Sequence, residues 1–335
     1  MIESRNLKNG NLQSYPRLLG DIGGTNARFG WQVAEHQIIT NVQILPCAEY
    51  ESLHAAANFY LASNNLNTPP SAAFGIATPV TSDSVAMTNH HWKFSINTLR
   101  EGMGVSRLLL LNDFTALALS LPFLADTEKR QIGQGNASTN AAIGLIGPGT
   151  GLGVSGLLPA SYINKWTPIS GEGGHITLAA TTEYEFAVIQ NLQNRYGHVS
   201  AERVISGAGL VDLYLALCDL KYDQRHKIQT PAELIEHANS YPASIANEAL
   251  DMFCGFLGSV AGDLALTIGA RGGIYIGGGI VPRLGDRIET TPFRERFESK
   301  GRFKKYLQEV PTWVIQSEVS PALKGASHAL SLSDY

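Results

Sequence analysis

The pattern of apolar and polar residues predicts the same small unit twice along the chain. Each copy has an apolar strand, a glycine-rich turn that contains a threonine, and a second strand. The first copy comprises Leu18–Asp21, Gly23–Asn26 and Ala27–Val33, and the second comprises Ala141–Ile146, Gly147–Gly151 and Leu152–Leu158. A duplicated pattern of this kind predicts two α/β halves with equivalent hairpins.

The rest of the pattern predicts strands that alternate with helices. Helical spacing or composition predicts helices at Ser52–Leu61, Phe114–Leu121, Pro242–Ala270 and Pro321–Leu332. Further strands are predicted at Ala72–Ala77, Leu108–Leu111 and Gly273–Ile276. Because Leu108–Leu111 is apolar at every position, it is typical of a strand buried on both faces of a parallel sheet.

Composition changes this picture only by excluding some partners. With 335 residues and 44% hydrophobic content, the chain can form one large domain or two ordinary ones. Its net charge is −4, and its basic residues are scattered apart from a short cluster at Lys300–Lys305, which we interpret as a solvated helix face. Nucleic acid and anionic membrane are therefore not expected as partners.

Cysteine usage and the amino-terminal residues bear on the cellular compartment. The three cysteines, Cys47, Cys218 and Cys254, are far apart, which excludes a CxxC zinc site and disfavours a disulfide framework. We expect all three to be buried as small apolar residues. Residues 1–16 have no secretory pattern, and the apolar run Leu108–Ala125 is interrupted by Asn112, Asp113 and Pro122. We expect a soluble, cytoplasmic protein.

The two glycine turns are the first candidates for chemistry. Backbone N–H groups that no side chain covers can approach phosphate oxygens, and a neighbouring threonine adds a hydroxyl donor. Either Gly23-Gly24-Thr25 or Gly149-Thr150-Gly151 alone would be equally consistent with an ordinary hairpin turn. The presence of both favours phosphate binding.

Other glycine motifs do not explain these turns. The chain contains no GxxxxGK[ST] and neither HRD nor DFG, which excludes a P-loop enzyme and a protein kinase. Residues Gly151–Gly156 match GxGxxG, but a dinucleotide fold requires a helix to begin there. The following run has an extended pattern and soon reaches Pro159, so we reject that match.

Asp113 is the candidate for acid–base chemistry. It follows the buried strand Leu108–Leu111 directly, and open α/β sheets bind their ligands at the carboxyl ends of strands. A carboxylate there is costly unless it is paired or used in chemistry. Asn112 or Asp113 would serve equally well as the N-cap of the next helix. Position alone leaves cap and catalyst as equal alternatives.

The glycine-rich segment Ser170–His175 contains the remaining candidate polar residues. It places Glu172 and His175 in a loop that we expect to be flexible unless a ligand or packing orders it. These groups, with Asn112 and Asp113, provide the donors and acceptors that sugar hydroxyls need, although a single histidine is more often structural. His90-His91 has no third ligand nearby, so we expect no metal held by the protein alone.

Six motifs, taken together, closely resemble those of bacterial glucokinase, a family within the sugar kinase and actin superfamily. In chain order they are Leu19–Phe29, Asn112–Ala116, Gly147–Gly153, Gly171–His175, Glu202–Gly207 and Gly277–Pro282. Because no cysteine lies between Cys47 and Cys218, the chain resembles the zinc-free branch of these kinases. That branch is often homodimeric.

The resemblance implies a two-domain α/β fold of the actin-like, ribonuclease H-like sugar kinase type, with ATP and sugar in the cleft between the domains. We expect a small α/β domain at residues 1–123 and 316–335, and a large α+β domain at 124–315. The resemblance assigns ATP phosphates, adenosine and Mg²⁺ to Asp21, Gly23, Gly24, Thr25, Asn26, Gly149, Thr150, Gly151, Gly277, Gly278 and Gly279. Of these, Asp21 would help to place the Mg²⁺ through water.

The same resemblance implies a glucose kinase in which Asp113 deprotonates the 6-hydroxyl group of the sugar. The expected glucose-binding residues are Asn89, Asn112, Asp113, Glu172, His175 and Glu202. A kinase for fructose, mannose or an N-acetylated amino sugar is the principal alternative, and a non-catalytic sugar sensor is a remote one. A sugar-responsive repressor is disfavoured, because residues 1–17 are too few for a helix-turn-helix domain.

Overall fold

The computed structural model describes residues 2–5, 15–88, 90–160, 165–222, 227–317 and 319–332. The chain divides into two compact units. Unit 1 comprises Met1–Ala125, Ser161–Ser170 and Ser317–Tyr335, and unit 2 comprises Asp126–Ala160 and Gly171–Gln316. This differs from the expected division mainly at Ser161–Ser170, which groups with unit 1. In that unit the hydroxyl oxygen of Ser170 lies 3.1 Å from that of Thr115.

The strands and helices follow the predicted alternation. The strands are β1 (Ile2–Arg5), β2 (Arg17–Ile22), β3 (Asn26–Gln32), β4 (Thr40–Pro46), β5 (Ser71–Ile76), β6 (Ser84–Ala86), β7 (Lys93–Ser95), β8 (Arg107–Asn112), β9 (Lys129–Ile132), β10 (Ile143–Pro148), β11 (Leu152–Ala160), β12 (Lys165–Ser170), β13 (Ile274–Ile276) and β14 (Thr312–Ile315). The α-helices are α1 (Leu53–Ser63), α2 (Ile96–Met103), α3 (Asp113–Ser120), α4 (Glu183–Tyr196), α5 (Gly207–Lys221), α6 (Pro231–Ser240), α7 (Ile245–Ile268), α8 (Phe293–Glu298), α9 (Lys304–Gln308) and α10 (Pro321–Leu332).

The duplicated hairpin pattern is present in two six-stranded sheets. Their strand orders are β1-β8-β5-β2-β3-β4 and β12-β11-β10-β13-β14-β9. In the first sheet, β2 pairs antiparallel with β3 and parallel with β5. In the second, β10 pairs antiparallel with β11 and parallel with β13. The first strand of each hairpin therefore has the same two kinds of neighbour, which is the equivalence that the sequence predicts.

In unit 1, helix α10 packs against α3, the helix that begins at Asp113. A Cβ added to Gly325 of α10 would lie only 1.7 Å from the carbonyl oxygen of Ala116 in α3, so the two helices touch through their backbones. Two residues further along α10, the carbonyl of Ser327 accepts from the buried Arg17 of β2 at 2.8 Å. These contacts fix α10 on the sheet and on the helix that follows β8.

In unit 2, α7 is the central helix. It begins after Ser244, whose hydroxyl accepts from the N–H of Asn247, and it ends at Gly269 with a left-handed φ of 64°. Its ends therefore lie two to three residues inside the predicted Pro242–Ala270. Within the described ranges, α7 is the one helix long and apolar enough to cross a membrane, and 72% of its most apolar window is buried inside the protein. That burial is the pattern of a core helix.

Several smaller predictions are also tested by the fold. All three cysteines are buried, as expected. Residues 301–305 are exposed, as predicted for a solvated basic cluster, but Lys300 is half-buried and its Nζ lies 2.6 Å from Asp263 Oδ1. The GxGxxG match lies in strand β11 rather than at the start of a helix, so its rejection is confirmed. Helices α2, α4, α5, α6 and α8 were not predicted.

Candidate active site

The junction of β8 and α3 decides which residue caps the helix. The side-chain oxygen of Asn112 accepts from the N–H groups of Phe114 at 3.0 Å and Thr115 at 3.2 Å, so Asn112 is the N-cap. Asp113 is the first residue of α3, and its Oδ1 lies 2.8 Å from the Phe114 N–H. Asn112 therefore caps the helix, and the Asp113 carboxylate is not needed as the N-cap.

The environment of Asp113 favours a proton acceptor near neutral pH. The residue is only partly exposed, and burial together with the negative charge of Asp21 raises the pKa of its carboxyl to about 7. The hydrogen bonds from Phe114 and Asn112 act in the opposite direction and lower this pKa. Desolvation outweighs them because the ionised form loses hydration that these donors only partly replace. A general base is most effective when its pKa lies near the working pH.

Asp21 lies at the same end of the sheet as Asp113. In the strand register, Asp21 of β2 pairs with Gly75 of β5, and Gly75 pairs with Leu111 of β8. Its Oδ2 accepts from the Ser320 hydroxyl at 2.6 Å and from Arg28 Nη1 at 3.3 Å. No residue in the described part of the chain donates a hydrogen bond to its Oδ1.

The Asp21 carboxylate is the group in this arrangement that could help to hold Mg²⁺. Hard cations such as Mg²⁺ keep several waters and contact proteins through few carboxylates. The open Oδ1 of Asp21, on a carboxylate whose other oxygen is fixed, is suited to accept from a Mg²⁺-bound water. Across the described ranges there is no group of three or more His, Cys, Asp or Glu side chains that could hold a metal directly. Asp21 is thus compatible with an ATP-bound Mg²⁺.

The first glycine turn, Gly23–Asn26, connects β2 and β3. The Gly23 N–H donates to the carbonyl of Asn26 at 2.9 Å, which closes the turn. The carbonyl of Thr25 accepts from the N–H of the buried Cys47 at 2.8 Å. Thr25 itself is exposed. The turn is thus held from behind while its threonine faces outward.

The second glycine turn, Gly149–Gly151, connects β10 and β11 in unit 2. The Gly149 N–H donates to the carbonyl of Gly151 at 2.8 Å, and the Gly149 carbonyl accepts from the N–H of Gly207 at 2.8 Å. Thr150 is exposed. Beside this turn, the N–H of Gly277 donates to the carbonyl of Ile146 at 2.8 Å. The triplet Gly277–Gly279 therefore follows β13 next to the strand that ends in the second turn.

The Glu172–His175 loop is ordered by packing in unit 2. Gly173–His175 form a single 3₁₀ turn, in which the His175 N–H donates to the Glu172 carbonyl at 3.0 Å. Both Glu172 and His175 have exposed side chains. Glu202 lies in another 3₁₀ turn, and its Oε2 accepts from the backbone N–H of Leu152 at 2.8 Å.

The structure therefore places the predicted residues in two sets. Asp21, the first turn, Asn112 and Asp113 lie in unit 1, and Glu172, His175, Glu202, the second turn and the Gly277–Gly279 triplet lie in unit 2. Asn89 lies outside the described residues. Sequence reasoning missed Arg28 and Ser320, both of which bind Asp21, and the bond from Leu152 to Glu202. Arg28 falls within the motif that begins at Leu19, but nothing in the sequence connects Ser320 with Asp21, which is 299 residues away.

Over most of its length the chain is similar to known glucokinases. The sequence model of the Glucokinase family matches residues 18–333. The glucokinase of Aromatoleum aromaticum is 51% identical over 318 residues, which cover 95% of each chain. The glucokinase of Campylobacter jejuni subsp. doylei is 46% identical over 97% of each chain. A crystal structure of glucokinase from an Antarctic psychrotroph superposes with a TM-score of 0.86 and 35% identity, covering 95% of this chain and 99% of that one.

Proposed function

This chain belongs to the glucokinase family, and we propose from that premise that it transfers the γ-phosphoryl group of ATP to the 6-hydroxyl group of D-glucose. The products are glucose 6-phosphate and ADP, as in the first step of glycolysis. The observation that carries the chemistry is Asp113, a partly buried carboxylate at the carboxyl end of β8 with a pKa of about 7. It is suited to accept a proton from an alcohol near neutral pH.

In the proposed reaction, Asp113 accepts the proton of the glucose 6-hydroxyl group. The oxygen of that hydroxyl group forms a bond to the γ-phosphorus of ATP. The bond from that phosphorus to the bridging oxygen breaks, and ADP leaves. Because phosphoryl transfer has a loose transition state, most of the catalysis comes from positioning and charge neutralisation. The N–H groups and threonines of the turns Gly23–Asn26 and Gly149–Gly151 would donate to the phosphates. Bound Mg²⁺ would neutralise phosphate charge, with Asp21 holding one of its waters.

Glucose recognition is assigned to the polar side chains around Asp113 and in the second unit. We propose that Asn112, Glu172, His175 and Glu202 bind the sugar hydroxyls, with Asn89 as a further member. The exposed side chains of Glu172 and His175 support this assignment, because they are available to a ligand. The adenosine would lie against Gly277–Gly279. We also propose that the protein works in the cytoplasm as a homodimer.

A panel of hexoses tests the proposed function directly. Glucose, fructose, mannose and N-acetylated amino sugars would each be supplied with Mg²⁺ and ATP, and ADP formation would be coupled to NADH oxidation. We expect kcat/KM to be highest for glucose by at least about 10²-fold, because a polar site rejects analogues that leave its groups unpaired. A higher kcat/KM for any other sugar would assign the enzyme to that sugar. No turnover with any of them would reject the kinase function.

The pH dependence of the reaction is expected to follow the carboxyl of Asp113. Its pKa in the free protein is about 7, and only the ionised form can accept the hydroxyl proton. Below that pH, kcat/KM for glucose should fall about tenfold per pH unit, and above it should reach a plateau. The measurement is kcat/KM from pH 5 to 9 at saturating Mg²⁺ and ATP. A flat profile down to pH 5 would contradict the role of Asp113 as base.

A further inference from the structure

Glu202 touches the phosphate turn of unit 2 as well as belonging to the proposed sugar-binding set. Its Oε2 accepts from the N–H of Leu152, the first residue of β11, at 2.8 Å. In the described part of the chain, no residue donates a hydrogen bond to its Oε1. One oxygen of this partly buried carboxylate is thus bound to the end of the turn, and the other is available to a sugar hydroxyl.

Gly151 makes room for this contact. A Cβ added to Gly151 would lie 2.5 Å from Glu202 Oε2, closer than non-bonded atoms approach. The backbone of Gly151 is not left-handed, so alanine is sterically allowed there except for that carboxylate. The absence of a side chain at position 151 therefore has a specific consequence, which is that Glu202 can reach the turn.

Two further contacts connect the same segments. The carbonyl of Gly149, at the start of the turn, accepts from the N–H of Gly207, which opens α5 shortly after Glu202. The carbonyl of Leu152 lies so close to Gly174 that a Cβ there would be 2.2 Å away. Gly174 belongs to the Glu172–His175 loop, so this loop packs against Leu152, the residue that follows the second phosphate turn.

We propose that Glu202 couples the two substrates by joining a glucose hydroxyl to the phosphate turn Gly149–Gly151. This inference rests on the proposed function. When glucose binds Oε1, the carboxylate is fixed, and the Leu152 N–H and the turn are fixed with it. The entropic cost of ordering the turn is then partly met before nucleotide arrives. Glucose should consequently tighten nucleotide binding, and by thermodynamic reciprocity nucleotide should tighten glucose binding by the same factor. Glu202 acts here as a positioning residue for the turn.

The test measures the dissociation constant of AMPPNP, with Mg²⁺, by calorimetry in the absence and presence of saturating glucose. We expect glucose to lower this constant by about 5-fold or more in the unaltered protein. In Glu202→Ala the ratio should fall to about one, and AMPPNP should bind more weakly even without glucose. Glu202→Gln, which keeps an oxygen for the Leu152 N–H, should restore binding of AMPPNP alone. A mere loss of structure would not give that selective rescue.

Glu172→Gln is the matched control, because Glu172 belongs to the same proposed sugar set but has an exposed side chain. This variant should bind glucose more weakly but should bind AMPPNP alone with unchanged affinity. Once glucose is raised to saturation, the ratio of the AMPPNP dissociation constants without and with glucose should also be unchanged. If Glu202→Ala binds AMPPNP alone as the unaltered protein does and keeps the coupling ratio, the inference is wrong. Failure of the proposed function would instead appear in the hexose panel, where the unaltered protein would turn over none of the sugars.

A double-mutant cycle isolates the contact itself. Gly151→Ala should displace the Glu202 carboxylate from the turn and weaken AMPPNP binding. In the Glu202→Ala background, the same Gly151→Ala change should have little effect, because the clashing oxygen is absent. Additive effects of the two substitutions would show that the turn responds to the added methyl group alone, and would overturn the coupling through Glu202.

Discussion

Replacing Asp113 by asparagine is expected to lower kcat by at least about 10²-fold while glucose binding is partly retained. The amide keeps the shape and polarity of the side chain but cannot accept the hydroxyl proton. Steady-state kinetics with glucose and ATP would measure both parameters. Glu236→Gln, which removes an exposed carboxylate on α6, is the control and should leave kcat unchanged. A nearly normal kcat for Asp113→Asn would remove Asp113 from the chemistry.

The same substitution should make the protein more stable at alkaline pH. Asp113 has a folded-state pKa of about 7, above the value of about 4 in an unfolded chain. Between these values the folded protein holds a proton that the unfolded chain has released, so stability from this group is lost as the pH rises. Removing the charge should therefore stabilise the protein by up to about 4 kcal/mol at pH 8 and little below pH 4. Thermal unfolding at both pH values would test this, and equal shifts at both would contradict it.

Replacing Gly325 by alanine should have the second large effect, on stability. The new methyl carbon would lie 1.7 Å from the carbonyl oxygen of Ala116 and 3.1 Å from the N–H nitrogen of Ser120. Both contacts are with the backbone of α3, so no side-chain rotation relieves them and α10 must move away. We expect a net destabilisation of about 2 to 3 kcal/mol, although alanine favours helix by about 1 kcal/mol over glycine.

The matched control for Gly325→Ala is Gly255→Ala in the middle of α7. A methyl group there meets no atom closer than 3.7 Å outside its own helix, so only the gain in helix propensity remains. Chemical denaturation followed by circular dichroism would compare the two variants. Because α3 begins at Asp113, Gly325→Ala should also lower kcat in the folded fraction. If Gly325→Ala is as stable as the original protein, the close packing of α10 on α3 is refuted.

The sequence predicted the parts of the site that are continuous along the chain. The two glycine turns and the position of Asp113 at the end of a buried strand follow from local composition and periodicity, and the structure has them as hairpins and a strand end. The choice of cap was open because Asn112 and Asp113 are both good N-caps. It was resolved only by the direction of the Asn112 side chain.

Contacts between segments that are distant in the sequence could not be predicted from local composition and periodicity. The bond from Ser320 to Asp21 and the bond from Leu152 to Glu202 join residues that are 299 and 50 positions apart. Neither is encoded in a local pattern, because each depends on how separate elements pack. The grouping of Ser161–Ser170 with unit 1 depends on packing in the same way. In physical terms, periodicity reports which face of an element is buried but not which neighbour buries it.

The packing of α10 also has a consequence for the order of events on the ribosome. Unit 2 ends at Gln316, whereas unit 1 needs Ser317–Tyr335, including the helix that covers α3 and binds Arg17. Synthesis proceeds from the amino terminus, and domains generally fold as units while it proceeds. Unit 2 can therefore complete its core first, although most of unit 1 is translated earlier. In the nascent chain, the side of α3 that packs against α10 stays uncovered until α10 has been synthesised.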